Sequence, residues 1–588
     1  MNQNHSETLT QHAMLVVWGQ FTQAIGLLEK LQSICLHQKT VVHSPQRKVL
    51  EFLVAILAGL EHLQDLSRSA HPIDQDQAVA RAWGQTGWAD YSGVSRTLAE
   101  LTHAEAEQIA AVLEQISAPV RAEEVMRALQ SRGRLTYDAD LTGRPVSDTS
   151  TTYPGAAYGY MGDGLHLGYQ AAMLSLHSPT YGRLWLSVTS HPGDTVSGTQ
   201  TEALLRAAEA KTGLRPLRRT DLLQARIGSL EGECQKSQEK AQESEATLEQ
   251  ARAQLAETRQ QYPEQQATLL RLEAEYPAHQ RPERPHSKLA QARRRLNRLE
   301  RRQQQLEKRI PALERQVQSR QQQVRLSQSQ IRLLQQRLEQ FEMDNRTNLY
   351  PILADFRLDA GFGNRENVAL GIEMGYELYT KPYSAWLTPR LKRRVGALTQ
   401  WAQVGANAEM VVWKAERFHD FPYPLDVALE RFYTGKTLRY STLIHFGSTP
   451  VTAEPAGWFQ RYNARQLIEA GIKEGKNIFT MHSLKVRSAP AIFLQEQLAV
   501  FAANFVRWAA RWLNEQGLRF PYAGDNPAHL NVKQQVEVAA HTSAWVAWQD
   551  QGCLLMFTDH SLFVGCALSV KRQWAVQLPL PFSEKLRF

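Results

Sequence analysis

Cysteine is scarce in this chain: Cys35, Cys234, Cys553 and Cys566 are the only four in 588 residues, and none stands at CxxC spacing to another. That argues against a cysteine zinc ribbon and against a disulfide framework, and a reducing cytosol is the simple inference. Long apolar runs are missing as well. No stretch reaches eighteen apolar residues, so no membrane span is expected. The opening "MNQNHSETLTQH" has no basic segment leading into an apolar one and does not read as a signal peptide. Acid is in short supply against base, 59 Asp and Glu to 67 Lys and Arg, for a net charge of +8 and a pI near 9.2. This balance favours a polyanionic partner. What is present is ordinary globular material, 43% hydrophobic and long enough for several domains with real cores.

Residues 1–130 read as a helical, DNA-binding domain. "FTQAIGLLEKLQSI" and "RKVLEFLVAILAGLEHLQDL" carry apolar residues at helical spacing. A turn is expected at Ser92-Gly93, before a helix resembling the second of a helix-turn-helix, with plain helical packing the alternative. From residue 134 the pattern turns to strands, "RLTYDADLTGRPV", "YMGDGLHLGYQAAMLSLHS" and "YGRLWLSVTSHPGDT", and then to the helix "GTQTEALLRAAEAKTG". Strands followed by a helix make an α/β region, 131–219.

Residues 220–345 differ again. A heptad seam runs through Leu289, Leu296, Leu299, Leu306, Leu313 and Val317 and on to Phe341, with a weaker one through Leu223, Ile227, Leu230, Leu248 and Leu255. The prolines of "YPAHQRPERPHS" break the helix between them. An antiparallel hairpin follows, with arms of ~55 residues and ~80 Å, kinked at Pro263 and Pro311. An intermolecular coiled coil competes with it. Strand-like sequence returns over 346–380, followed by a mixed or β insertion at 381–450, helices at 451–520 and a β-rich region at 521–588.

One helical stretch, "RYNARQLIEAGIKEGK", places Tyr462, Arg465, Glu469 and Lys476 on one broad face. A phenol, a guanidinium, a carboxylate and an ammonium together suit a metal ion beside a phosphate. Further carboxylates stand at Asp138 and Asp140 on the first strand and at Asp359 at the end of a later one. Mg²⁺ prefers such hard oxygen ligands, and two ions held by three carboxylates can activate a nucleophile and stabilise a leaving oxygen.

The string Tyr462–(2)–Arg465–(3)–Glu469–(6)–Lys476 resembles the YREK signature of the DDE insertion-sequence transposases, in residue types and in gaps. "FRLDAGFGNRENV" and "LTYDADLTGRPV" look like that family's second- and first-aspartate segments. The resemblance implies an RNase H-like (retroviral-integrase) core, and this chain departs from the family's pattern in that the coiled-coil hairpin splits the core between the first and second aspartates. It also implies a catalytic, metal-binding triad of Asp140, Asp359 and Glu469, with Asp138 the fallback for the first. The metal would be two Mg²⁺ ions, with Mn²⁺ a substitute, and Tyr462, Arg465 and Lys476 would contact DNA phosphates. The implied activity is cut-and-paste transposition: cleavage at the element's ends, strand transfer, and hairpin intermediates. The implied partner is double-stranded DNA, bound by a homodimer, in a bacterial cytoplasm. An extruded base needs a stacking partner. Among Trp386, Trp401 and Trp413 the last is preferred, because Lys414 follows it. The rival readings are a transposase-derived DNA-binding protein that no longer cuts, and a coiled-coil scaffold.

Overall fold

The computed structural model describes residues 7–39, 42–148, 153–162, 164–275, 284–419, 421–479, 481, 485–515, 532–558 and 567–571. It divides into two units, Met1–Leu217 with Leu349–Phe588, and Arg218–Asn348.

The first unit opens with strand β1 (Glu7–Thr10), then helices α1 (Ala13–Ala24), α2 (Pro45–Leu57), α3 (Tyr91–Glu100) and α4 (His103–Arg132), with shorter helical turns between them. Trp18, Phe21, Phe52 and Trp83 are fully buried here. The region is not purely helical as expected, because the β-forming "ETLT" of β1 pairs antiparallel with residues 544–547. The expected turn at Ser92-Gly93 is the first turn of α3 instead. The Asp90 carboxylate accepts from the Gly93 amide at 2.8 Å and so caps the helix early. A Thr102–Glu105 capping box starts α4, and left-handed Gly133 (φ +68°) stops it, turning the chain into the sheet.

The architecture is mixed α/β. Strands β2 (Arg134–Pro145), β3 (Ala157–Tyr160), β4 (Leu165–Leu176) and β5 (Leu184–Pro192) precede helix α5 (Thr201–Thr212). The two long helices of the second unit, α6 (Thr220–Glu275) and α7 (Lys288–Arg346), follow. Then come β6 (Leu353–Arg357), α8 (Arg365–Glu373) and β7 (Glu377–Thr380). The spatial order is β5–β4–β2–β6–β7, with β3 beside the first part of β4. β2 runs antiparallel to β4 and parallel to β6, and β6 parallel to β7. Strands β8 (Ala402–Gly405), β9 (Ala408–Glu416), β10 (Leu425–Thr434) and β11 (Thr437–Phe446) extend the same sheet, β11 pairing antiparallel with β7. Alternation in β2 sorts its residues: Leu135, Tyr137 and Ala139 bury on one face, and Asp138, Asp140 and Arg144 share the other. That second face meets helices α9 (Pro455–Asn463), α10 (Gln466–Asn477) and α11 (Ala489–Glu515). Among the described residues α11 alone is long and apolar enough to cross a membrane, and 78% of its most apolar stretch is buried inside the fold. Strands β12 (Ala544–Gln549), β13 (Gly552–Phe557) and β14 (Ala567–Lys571) form a second sheet with β1.

The second unit is an antiparallel helical hairpin within one chain. Its cross-links run Arg252–Glu314, Arg259–Glu307 and Glu273–Arg293, with Gln321–Glu245 and Gln335–Glu231 continuing the row. On each helix these positions are spaced by sevens or multiples of seven, so one flank of the heptad carries the ladder. The seam of α6 is filled by small side chains: Cys234, Ala241, Ser244, Ala251 and Thr258 are buried in it. Arg320 stands at a seam position of α7 and donates to the Lys240 carbonyl and the Ser244 hydroxyl. A single polar partner of this kind fixes register. Both helices run through Pro263 and Pro311 as continuous elements. At the base, the Arg218 amide donates to Asn345 Oδ1 at 2.7 Å, and the Arg218 guanidinium pairs with Asp344 at 2.9 Å.

A buried charge triad stands where the added strands join β7. His445 Nδ1 lies 3.1 Å from Asp426 and its Nε2 3.3 Å from Glu377. Burial works against the imidazolium, but hydrogen bonds to both carboxylates raise its pKa above the usual 6.5. Glu377 and Asp426 are held below their usual values by hydrogen bonds, His445's foremost, against the burial that opposes them. A raised cation pKa contributes stability that is full below about pH 6.5 and fades as pH rises through the folded value. His445→Gln is therefore expected to cost about 3 kcal/mol at pH 5.5 and progressively less above neutrality. Urea unfolding across pH 5–9 measures it. A cost independent of pH would mean that the histidine is neutral in the fold.

Candidate active site

The site grows from the register of β2 against β6. Asp138 lies directly opposite Arg357 in the parallel ladder. The guanidinium grips the carboxylate with both arms at 2.6 Å, and both residues are almost fully buried. Another arm of Arg357 donates to the Arg461 carbonyl at the end of α9, 2.9 Å away. Asp138 is thereby spent on structure. Two residues further along each strand stand Asp140 and Asp359. Asp359 lies just past β6, where its carboxylate accepts from the Gly361 amide at 2.9 Å and opens a single helical turn.

The third carboxylate comes from the helices above. The expected single helix is two, α9 and α10. The break falls at Ala464 and Arg465, whose ψ angles of −14° and −22° overwind the chain. Amides there bond three residues back, Arg465 to Tyr462 and Ile468 to Arg465. The tight step turns Tyr462 inward and Arg465 and Glu469 toward β2. Arg465 Nη2 lies 2.9 Å from Asp140 Oδ2 and its Nη1 2.5 Å from Glu469 Oε1. Arg465 is only 6% exposed. The four groups form one electrostatic cluster. Burial pushes the Asp140 carboxyl up to about 7; Arg465 opposes this, and the charges of Asp359 and Glu469 add to it. Burial also works against the Arg465 charge, but Asp140, Asp359 and Glu469 outweigh it and raise its pKa.

Tyr462 and Lys476 are placed differently. Tyr462 is a core residue among Tyr379, Val404, Met410 and Trp458, its hydroxyl donating to the Leu358 carbonyl at 3.4 Å. Lys381 covers its ring at 5.7 Å. Lys476 is half-buried on the last turn of α10. Burial and the nearby Arg144 lower its pKa, and Asp140 opposes them. Trp413 sits in β9 opposite Val427, with the Arg394 guanidinium 4.9 Å from its ring centre. Trp386 instead lines a cavity of about 480 Å³ together with Gly363, Asn364, Arg365 and Tyr383, on the loop that follows Asp359.

Several positioning residues escape sequence reasoning. Arg183 and Arg507 both reach Glu474 on the back of α10, at 3.3 and 2.8 Å. Arg183 also donates to the Leu467 carbonyl. A Cβ on Gly471 would collide with that guanidinium, so the glycine lets α10 lie against Arg183. Arg144 and Glu496 form a buried pair that joins β2 to α11. None of these has a local sequence signal, since each partner lies on a different element.

Among the described residues no three Asp, Glu, His or Cys side chains are placed to grip one metal ion. The reason is visible in Arg465, whose guanidinium stands between Asp140 and Glu469. The donor set itself suits a hard divalent cation. Three carboxylates share the cluster, and Arg465 leaves Asp140 still pushed upward. Compared with known proteins, the chain matches no family model and no curated protein.

Proposed function

We propose that this chain is a DNA transposase with an RNase H-like core, acting by metal-dependent cleavage and strand transfer at the ends of a mobile element. One observation carries the reading. The two central parallel strands carry Asp140 and Asp359 two residues beyond their Asp138–Arg357 pair, close enough to feel each other's charge, and the helix pair bearing the Tyr–Arg–Glu–Lys string adds Glu469 to the same electrostatic cluster. Further support comes from the strand order β5–β4–β2–β6–β7, with the first three antiparallel and the last two parallel to β2. An RNase H-like core has this arrangement, and the hairpin enters between its third and fourth strands.

Asp140, Asp359 and Glu469 would hold two Mg²⁺ ions. Such ions supply the charge that makes water a nucleophile and stabilises the leaving oxygen. The chain's own residues do the rest. Arg465 offers a planar fork for phosphate oxygens once it leaves the carboxylates, and Lys476 a point charge. Tyr462 contributes by packing, through the core it anchors beneath them. The stacking role expected of Trp413 has a second candidate in Trp386, which lines the cavity beside Asp359's loop.

Asp359→Asn keeps shape and removes a ligand charge. On supercoiled DNA carrying the ends of the element in which the gene lies, it is expected to lower Mg²⁺-dependent nicking by ~10³-fold or more. Binding to those ends should stay within about threefold of the parent. A variant that nicks normally sinks the assignment. A second reading, a DNA-binding descendant that no longer cuts, draws on the Arg465 guanidinium between two of the acids. Absence of nicking by the parent chain, with end binding intact, would select it.

A further inference from the structure

The outer face of α7 carries a repeat that the active site does not use. Arg294-Arg295, Arg301-Arg302 and Lys308-Arg309 are basic pairs seven residues apart, and Arg315 begins the next step. Every one of these side chains is exposed. Against the seam of Leu289, Leu306 and Val317, Arg294, Arg301, Lys308 and Arg315 occupy the position facing away from α6, and Arg295, Arg302 and Arg309 the flank opposite the cross-linked one. The acids of the same stretch, Glu300, Glu307 and Glu314, stand apart on the cross-linked flank. Among the described residues, the ion pairs that cross the arm here use Arg293, Glu307 and Glu314 and leave the basic pairs out. Sorting of this kind leaves a ridge of one sign. Seven helical residues rise about 10.5 Å, close to three base pairs of duplex. From Arg294 to Arg315 the ridge spans ~32 Å, near one turn of B-DNA.

We infer that this ridge is a second, non-catalytic binding surface for the phosphate backbone of duplex DNA. Charge complementarity favours that partner. The ridge is flanked by Asn297, Arg298, Gln304 and Gln305 and has no large apolar residue to enter a lipid surface, because the apolar stripe of α7 is used against α6. The outward side of α6 carries the exposed Glu243, Glu257 and Glu264, so the arm of a second copy is the competing occupant, and self-association lost in the glutamine variant with duplex binding retained would overturn the inference. No base contact is implied, and binding through phosphates alone is independent of sequence. The choice of duplex DNA rests on the transposase reading. The binding itself does not require cutting.

The test is binding of the full chain, in EDTA, to a 40-base-pair duplex of arbitrary sequence over a range of salt. The sixfold variant R294Q/R295Q/R301Q/R302Q/K308Q/R309Q is compared with the parent and with a variant carrying lysine at the five arginines. Each lost phosphate contact removes about 0.9 from the slope of log K against log salt. The glutamine variant is expected to lose ~4 from that slope and at least ~30-fold in affinity at 100 mM salt, with an unchanged thermal midpoint. The lysine variant should stay within about threefold of the parent. Unchanged slope and affinity in the glutamine variant would overturn the inference. So would equal weakening by the lysine variant, which would mean that the shape of the arm matters and its charge does not. Loss of binding to anionic vesicles with duplex binding retained would overturn it in favour of a lipid surface. Failure of the cleavage assay leaves all of these outcomes readable, because no cutting is measured here.

Discussion

Asp138→Ala is expected to lower unfolding stability by about 3 kcal/mol or more, while Asp140→Asn, two residues along the same strand, leaves it unchanged or raises it. The two aspartates share a face of β2 and differ in what meets them. Removing Asp138 leaves the Arg357 guanidinium buried without its counter-charge, and breaking a buried pair from one side costs ~3–5 kcal/mol. Removing the charge of Asp140 relieves a carboxyl that burial and two neighbouring acids already push up to about 7. Groups held at odds with their surroundings are characteristic of sites that do chemistry at some expense of stability. Nicking should follow the opposite order: lost by ~10³-fold or more in Asp140→Asn, and retained in whatever fraction of Asp138→Ala remains folded. Urea titration beside a nicking assay gives both numbers. A large loss of stability in Asp140→Asn, or a mild one in Asp138→Ala, would reverse the roles assigned to the two positions.

Arg465→Gln is the second change with a large expected effect, and its sign depends on metal. The guanidinium is the internal counter-ion of the cluster. Without metal, its loss leaves Asp140, Asp359 and Glu469 facing one another, at a cost of about 3 kcal/mol. With millimolar Mg²⁺ that cost should largely disappear on the proposed reading, because the three carboxylates would then share a cation in place of the guanidinium. The glutamine variant should therefore bind Mn²⁺ in the absence of DNA at least ~10-fold more tightly than the parent, a difference of about 1.4 kcal/mol. Calorimetric titration reads the affinity, and thermal unfolding with and without Mg²⁺ reads the compensation. Weaker Mn²⁺ binding by the variant would mean that Arg465 organises the carboxylates for metal instead of competing with it. On the transposase reading, DNA phosphates would give the displaced guanidinium somewhere to go, so metal and DNA should each strengthen the binding of the other.

Much of this was legible because it is local. Alternation marked β2, the heptad of leucines marked α7, and the gaps between Tyr462, Arg465, Glu469 and Lys476 marked a helical stretch. What was not legible depends on partners distant in sequence. Asp138 and Asp140 look alike until Arg357 is set opposite the first of them, and that pairing spans 219 positions. The seam of α6 looked weak because Cys234, Ala241, Ser244 and Thr258 fill it. Small side chains make a sound seam when the facing helix supplies the bulk, but they carry little periodic signal. A continuous helix over Tyr462–Lys476 was the natural reading of spacing alone. The step at Ala464–Arg465 needs the core that draws Tyr462 inward. The preference for Trp413 rested on its neighbour Lys414, and the cavity that adds Trp386 as a candidate is built from loops on either side of β7.

The pairing of β1 with β12 also imposes a schedule. Glu7 finds its partner in Ala547, so β1 cannot close its ladder until 540 further residues have been synthesised. At ~5–20 residues per second that wait lasts roughly half a minute to two minutes. The hairpin has no such delay, since its halves follow each other directly and can zip as α7 emerges. β2 occupies a middle place, waiting for β6. A copy cut short before residue 544 would carry an open strand edge beside a finished helical domain. Open edges recruit other strands and are accessible to proteases. Copies that lack β12 should thus be cleared or aggregate.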